Sequence, residues 1–115
     1  MKKEYKDRWV EALRSGKYKQ AKGTLRNKEG FCCLGVLCDI VKDELGYYWS
    51  IEEEASHYTI FNSVGVLPFE VMELVGMAYS DGSIYVEGDE QINHLPTYND
   101  QAGEDFNQIA DRILS

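Results

Sequence analysis

The stretch that most constrains this chain is Cys33-Leu-Gly-Val-Leu-Cys-Asp-Ile-Val-Lys-Asp-Glu-Leu-Gly46. Leu34, Leu37, Cys38, Val41 and Leu45 recur at the helical period, and Gly46 supplies a C-terminal stop, so this segment is expected to be the central core helix. Gly35 inside it costs up to about 1 kcal/mol relative to Ala. A close backbone crossing against the preceding residues explains its use. At 115 residues the chain fits one domain, 1–115, able to bury about two-thirds of its unfolded surface. Its 43% hydrophobic and 28% charged content is that of a globular protein without a membrane span.

Other elements are expected around that helix. Tyr5, Trp9, Ala12 and Leu13 predict an amphipathic helix over 4–15, stopped by Gly16. Thr24–Arg26 and Phe31–Cys33 flank Asn-Lys-Glu-Gly and predict a short hairpin, with Gly30 at positive φ. Residues 47–49 and 57–61 are β-prone across an acidic turn at Glu52–Glu54. Pro68 is expected at the first position of a helix that runs to Val75 and closes at Gly76. Asp81-Gly82, between Ala78-Tyr79 and Ile84–Val86, is the strongest hairpin signal, and 88–100 reads as loop or marginal helix. The final helix starts at Asp105 in a variant capping box and buries Phe106, Ile109, Ala110, Ile113 and Leu114. The fold class is therefore α+β, with about four helices, hairpins and a small antiparallel sheet.

Charge is divided unevenly along the chain. Residues 1–28 hold ten Lys and Arg against three acidic residues, and the rest holds two against seventeen, for a net −8. The basic segment also contains Tyr18 and the glycines Gly16, Gly23 and Gly30. Such a segment suits a phosphate-bearing ligand, because glycine admits backbone amides to an anion and Tyr offers a stacking face. A Lys-rich solvated surface balancing an acidic body is the plainer reading of the same residues. The ligand-binding candidates are Arg14 and Arg26 for forked contacts, Lys17, Lys19 and Lys22 as point charges, Ser15 and Gln20 as polar neighbours, and Tyr18 with Trp49 or Tyr48 as stacking faces.

The alternatives carry less pattern. Cys32, Cys33 and Cys38 with His57 and His94 lack the ligand spacing of zinc, and read as free, buried thiols in a reducing cytoplasm. A Cys–His nucleophile is conceivable, but sequence pairs no thiol with an imidazole. Asp100, Glu104, Asp105 and Asp111 resemble a carboxylate metal set less than caps and wet faces. No P-loop or dinucleotide fingerprint is present. No catalytic residue, metal or cofactor is expected, and the start of the chain does not read as a signal peptide.

Trp9-x-x-Ala12-Leu13-Arg14-Ser15-Gly16-x-Tyr18-x-Gln20-x-x-Gly23-x-Leu25-Arg26, then Gly30-Phe-Cys-Cys-Leu-Gly-Val-Leu-Cys-Asp39, resembles a family of small proteins encoded widely in bacteriophage genomes. The resemblance continues through Leu67-Pro68-x-x-Val71 with Gly76, and Asn99-Asp100 with Phe106-x-x-Ile109-Ala110-Asp111-x-Ile113. Leu74 stands where Trp is frequent, and Tyr98 where Leu is usual. That family is similar in size and phage distribution to counter-defence sponges, oligomeric proteins that sequester the cyclic nucleotide signals of anti-phage immunity such as CBASS messengers. The resemblance implies a cytoplasmic, non-enzymatic homo-oligomer, dimer or tetramer, that binds a cyclic dinucleotide intact, with no membrane or nucleic-acid partner. The residues leave open an acidic protein-binding inhibitor or nucleic-acid mimic, and a nucleotide-processing enzyme.

Overall fold

The helix expected at the centre is α2, Cys33–Leu45. In the computed structural model, which describes residues 1–52, 57–60, 63–77, 83–85, 92–100 and 103–114, its first half is buried all round: every residue from Cys33 to Cys38 is inaccessible to solvent or nearly so, as is Val41. That exceeds the one-sided stripe read from the sequence, because the chain closes over α2 from two sides. On one side the Leu25 carbonyl lies 1.8 Å from where a Cβ on Gly35 would stand. The same carbonyl accepts from Cys32 N–H at 3.0 Å. On the other side Trp9 Nε1 donates to the Cys33 carbonyl at 2.9 Å. The Gly35 crossing is thus a backbone-to-backbone contact that no side chain permits. The helix begins at a sulfur cap, Cys32 Sγ accepting from Gly35 N–H at 3.4 Å, and ends at Gly46 with φ 70.

Helix α1, Lys3–Arg14, buries Tyr5, Trp9, Val10 and Leu13 and lies chiefly against α2 and the C-terminal helix. Ser15 caps its end through Oγ to the Ala12 carbonyl, 2.7 Å, and Gly16 turns the chain at φ 74. Before α1, Lys2 N–H donates to the Val75 carbonyl at 2.7 Å, which ties the first residues to the end of α3, Phe69–Val75. Pro68 is the N-cap of α3, so the helix begins one residue later than expected, and the Pro68 carbonyl accepts its first bonds from Val71 and Met72. Gly76 closes that helix as expected, at φ 75.

The 24–33 hairpin forms as a tight turn. Arg26 bridges Phe31, Asn27 N–H donates to the Gly30 carbonyl at 2.9 Å, and Asn27 Oδ1 accepts from the N–H groups of Glu29 and Gly30. Gly30 does not take positive φ. Its reason is space, because the Lys19 carbonyl sits 2.1 Å from the position a Cβ would occupy. Strand β1, Arg26–Asn27, also joins β2, Trp49–Glu52, and β3, His57–Ile60, in an antiparallel sheet of order β1-β3-β2. Arg26 and Ile51 both face Tyr58 in this register, and Trp49 faces Ile60.

Of the hairpin expected around Asp81-Gly82, the structure describes only Ser83–Tyr85. Ser83–Tyr85, β4, pairs antiparallel with Ile92–His94, β5, in a segment expected to be loop or marginal helix. Asp81-Gly82 and Ala78-Tyr79 lie outside the described residues. Helix α4, Leu95–Asp100, follows β5 directly. Helix α5, Phe106–Leu114, starts at the expected reciprocal box: Gln108 N–H donates to Asp105 Oδ1 at 2.8 Å, and Asp105 N–H to Gln108 Oε1 at 2.9 Å. Its buried stripe holds Phe106, Ile109, Ala110 and Ile113, but Leu114 is 46% exposed.

The fold is α+β. All five described helices but the exposed last turn feed one hydrophobic cluster, in which Trp9, Leu25, Leu34, Leu37, Ile60, Leu95 and Ile109 are fully buried. Each such side chain contributes roughly 1.5–3 kcal/mol relative to exposure. No helix among the described residues is long and apolar enough to cross a membrane.

Candidate anion-binding site

The basic segment meets the sheet at Arg26. Placed on β1 opposite Tyr58 and bridged to Phe31, its guanidinium lies 4.2 Å from the Tyr58 ring centre, 4.8 Å from Phe31 and 5.6 Å from Trp49. Phe31 in turn meets Tyr18 edge to face at 5.1 Å and Trp49 at 5.9 Å. Contacts of this type contribute about 0.5–1 kcal/mol each where exposed, more where dry. They also leave the rim of the guanidinium unused. Among the described residues the Arg26 guanidinium makes no hydrogen bond and no ion pair, so its donors are available to an oxyanion in a forked geometry.

Beneath the rings one carboxylate gathers three donors. Asp39 of α2 accepts from Tyr18 Oη at 2.6 Å and from Trp49 Nε1 at 2.9 Å, and Lys42 Nζ stands 3.4 Å from the same group. Lys42 also donates to the Asp39 backbone carbonyl at 3.2 Å. Burial, and then the bond to Asp39, push the Tyr18 phenol well above its ordinary value, so it remains protonated and a donor. The side chain of Asp39 is 19% exposed and that of Lys42 29%.

The other candidates divide into two sets. Lys17, Lys19 and Lys22 are exposed, and no described carboxylate pairs with any of them. Lys19 is joined to the aromatic group through the backbone, its carbonyl accepting from Phe31 N–H at 2.8 Å. The second set serves the fold. Arg14 reaches across to α5 and pairs with Asp111. Ser15 Oγ is occupied by the Ala12 carbonyl and by Lys17 N–H. Gln20 Nε2 donates to Asn99 Oδ1 at 2.8 Å and to the Glu104 carbonyl at 2.7 Å. Asn99, fully buried, returns a bond to the Ala21 carbonyl at 2.8 Å and another to Asp100. An open hollow of about 480 Å³ beside Arg14 is lined by Asp7, Val10, Glu11, Arg14 and Ser15, and its two carboxylates oppose an anionic ligand.

Trp49 therefore joins the Arg26 group, as does Tyr18, while Tyr48 points outward at 81% exposure. Sequence reasoning missed Phe31, Tyr58, Asp39 and Lys42. The hairpin reading carried a signal for Phe31, since it placed that residue across from Arg26. Asp39, on the polar side of a core helix, carried none.

The alternative chemistries find separate partners. Cys32, Cys33 and Cys38 are free and buried, and burial raises Cys32 to about 11 and the other two well above the ordinary thiol range. The side chains of His57 and His94 lie outside the described residues. Asp100 accepts from Asn99, Glu104 holds a two-pronged bond with Arg112 at 2.6 and 2.6 Å, Asp105 caps α5, and Asp111 pairs with Arg14. Among the described residues no group of three or more metal-ligating side chains converges.

An α+β scaffold thus presents a cationic and aromatic surface at its three-stranded sheet. The chain belongs to the DUF8296 family, a domain of unknown function, which matches residues 1–115. No curated protein and no solved structure shows significant similarity to it.

Proposed function

We propose that the protein binds a phosphate-bearing nucleotide signal, a cyclic dinucleotide such as cyclic GMP–AMP, and holds it without cleavage, as a phage-encoded immune-evasion protein of the host cytoplasm. The observation that carries this reading is the Arg26 guanidinium, held over three rings with its donors unused by the described residues. A phosphodiester offers two oxygens to that fork, exposed Lys17 and Lys19 add long-range attraction, and aromatic edges nearby suit bases. Binding and release of an intact ligand needs these contacts and no nucleophile. The test is incubation with a panel of cyclic di- and trinucleotides and cyclic ADP-ribose forms, removal of free ligand, denaturation and chromatography. Recovery of unaltered ligand from wild type and not from Arg26→Ala is expected. An altered product would make the protein an enzyme, and no retention of any compound would sink the nucleotide reading.

The homo-oligomer in this reading draws on another surface. Tyr48 is 81% and Phe69 67% exposed, and rings this large on the outside of a small chain suit a protomer contact. Light scattering at micromolar concentration should give a dimer or tetramer mass. The same two rings within an acidic chain are what a protein-binding inhibitor would use, and a monomer that captures no nucleotide would favour that second reading.

A further inference from the structure

We infer that Asp39 is the positioning residue of the Arg26 site: a carboxylate that strengthens anion binding by fixing the rings behind the guanidinium, although its own charge opposes an anion. This rests on the Arg26 surface binding anions, the physical core of the proposed function. Tyr18 comes from the link after α1, Trp49 from the start of β2, and Asp39 from α2 between them. These three segments share no other described side-chain hydrogen bond, so one carboxylate sets the tilt of both rings, 2.6 Å to Tyr18 Oη and 2.9 Å to Trp49 Nε1. Phe31 lies edge to face against both of those rings, and Arg26 rests on Phe31 and Trp49. Lys42, 3.4 Å away, offsets the charge of Asp39 locally. Removal of the pin frees the rings and widens the positions Arg26 can take, which lowers the fraction of time its fork is aimed outward.

Two effects of Asp39→Ala have opposite signs. Coulomb interaction alone makes the variant a better anion site, because one negative charge disappears and Lys42 loses the nearer of its two carboxylates, keeping Asp43 at 4.0 Å. Loss of positioning makes it a worse one. Asp39→Asn separates them further: its amide oxygen can accept from Trp49 and its amide nitrogen can donate to Tyr18 Oη, so geometry is kept while the charge is removed.

Trp49 allows a measurement without nucleotide, because Trp9 is fully buried and contributes an unquenched background. Iodide, an anion, and acrylamide, a neutral molecule, are used in parallel as quenchers of Trp emission on the full chain at low salt, and the ratio of their quenching constants measures anion enrichment at Arg26. Calorimetric titration with cyclic GMP–AMP runs alongside, and near-ultraviolet circular dichroism checks folding. The expected result is a ratio at least threefold lower in Asp39→Ala and within twofold of wild type, or higher, in Asp39→Asn. Should Asp39→Ala not fold, Tyr18→Phe is the second variant, with at least a twofold drop expected. A ratio in Asp39→Ala equal to or above wild type, or in Tyr18→Phe unchanged where Ala does not fold, overturns the assignment, even if nucleotide is bound. If wild type shows the iodide pattern and binds no cyclic dinucleotide, the Asp39 assignment stands and the nucleotide reading falls.

Discussion

Arg14 and Arg26 stand twelve positions apart in one basic segment, yet the fold uses them in opposite ways. Arg14 is satisfied by a carboxylate: it crosses from α1 to Asp111 on α5, in a neighbourhood that also holds Asp7 and Glu11. Arg26 is satisfied by rings, which hold its plane and take none of its donors from described groups. Both are cations at the surface, and only the second is equipped to receive an anion. Charge density along a sequence therefore locates a candidate region, but the partner chemistry of each cation decides which one is available.

The comparison can be broken at several points. The largest effect is expected where the Arg26 strand crosses α2. Gly35→Ala places a Cβ within 1.8 Å of the Leu25 carbonyl, and because the neighbour is backbone the crossing must open, so stability should fall by about 3 kcal/mol or more. Denaturant unfolding measures this, and a variant as stable as wild type would show that the crossing is dispensable. Next, Arg26→Ala should lower affinity for cyclic GMP–AMP tenfold or more, about 1.4 kcal/mol, in calorimetric titration. Its melting temperature should change little, because the half-buried rings also pack against the core.

A pH effect belongs to the Arg14 side of the molecule. The hydrogen bond from Arg112 holds the Glu104 carboxyl below its ordinary value of 4.5. A depressed folded value means that the contribution is complete above 4.5 and disappears as pH falls through the folded value. Melting curves of wild type and Glu104→Gln should thus differ at pH 7 and draw together as pH falls below 4.5, and a separation that does not shrink with falling pH would refute the linkage. The smallest effect is expected from Arg14→Ala. Its ion pair has side chains 42% and 72% exposed, so stability should change by at most about 0.5–1 kcal/mol. Nucleotide affinity should stay within twofold, and a loss matching that of Arg26→Ala would erase the distinction between the two arginines.

What was legible in the sequence follows from whether the signal is local. The capping box at Asp105, the stops at Gly16, Gly46 and Gly76 and the period of α1 and α2 depend on neighbours within a turn or two, and each is found. Gly35 was read as a close crossing because a helix-interior glycine next to apolar residues has few other uses, and Leu25 is the group it admits. Gly30 was misread because a turn glycine has two physical reasons, φ or space, and only the position of Lys19 decides between them. The pairing of Ser83–Tyr85 with Ile92–His94 escaped notice since a weakly patterned polar segment supplies the second strand. In the site, Tyr18, Arg26 and Trp49 carry recognisable chemistry. Asp39 acts through residues 21 positions before it and 10 after it, a relation no periodicity encodes.

The sulfur-lined start of α2 makes the core self-reporting. Cys33 and Cys38 have no accessible surface and Cys32 has 5%, and burial keeps all three protonated near neutral pH. An alkylating reagent such as a maleimide therefore reaches them only when α2 separates from its neighbours. The number of adducts added together, followed by mass spectrometry, counts how much of the helix opens in a single event: one at a time for fraying at Cys32, three at once for opening of the whole core. Ligand that binds the folded state slows only the routes that pass through its own site. Adduct kinetics with and without an anion thus reveal whether the sheet surface and the interior of α2 open together or separately, with no engineered label.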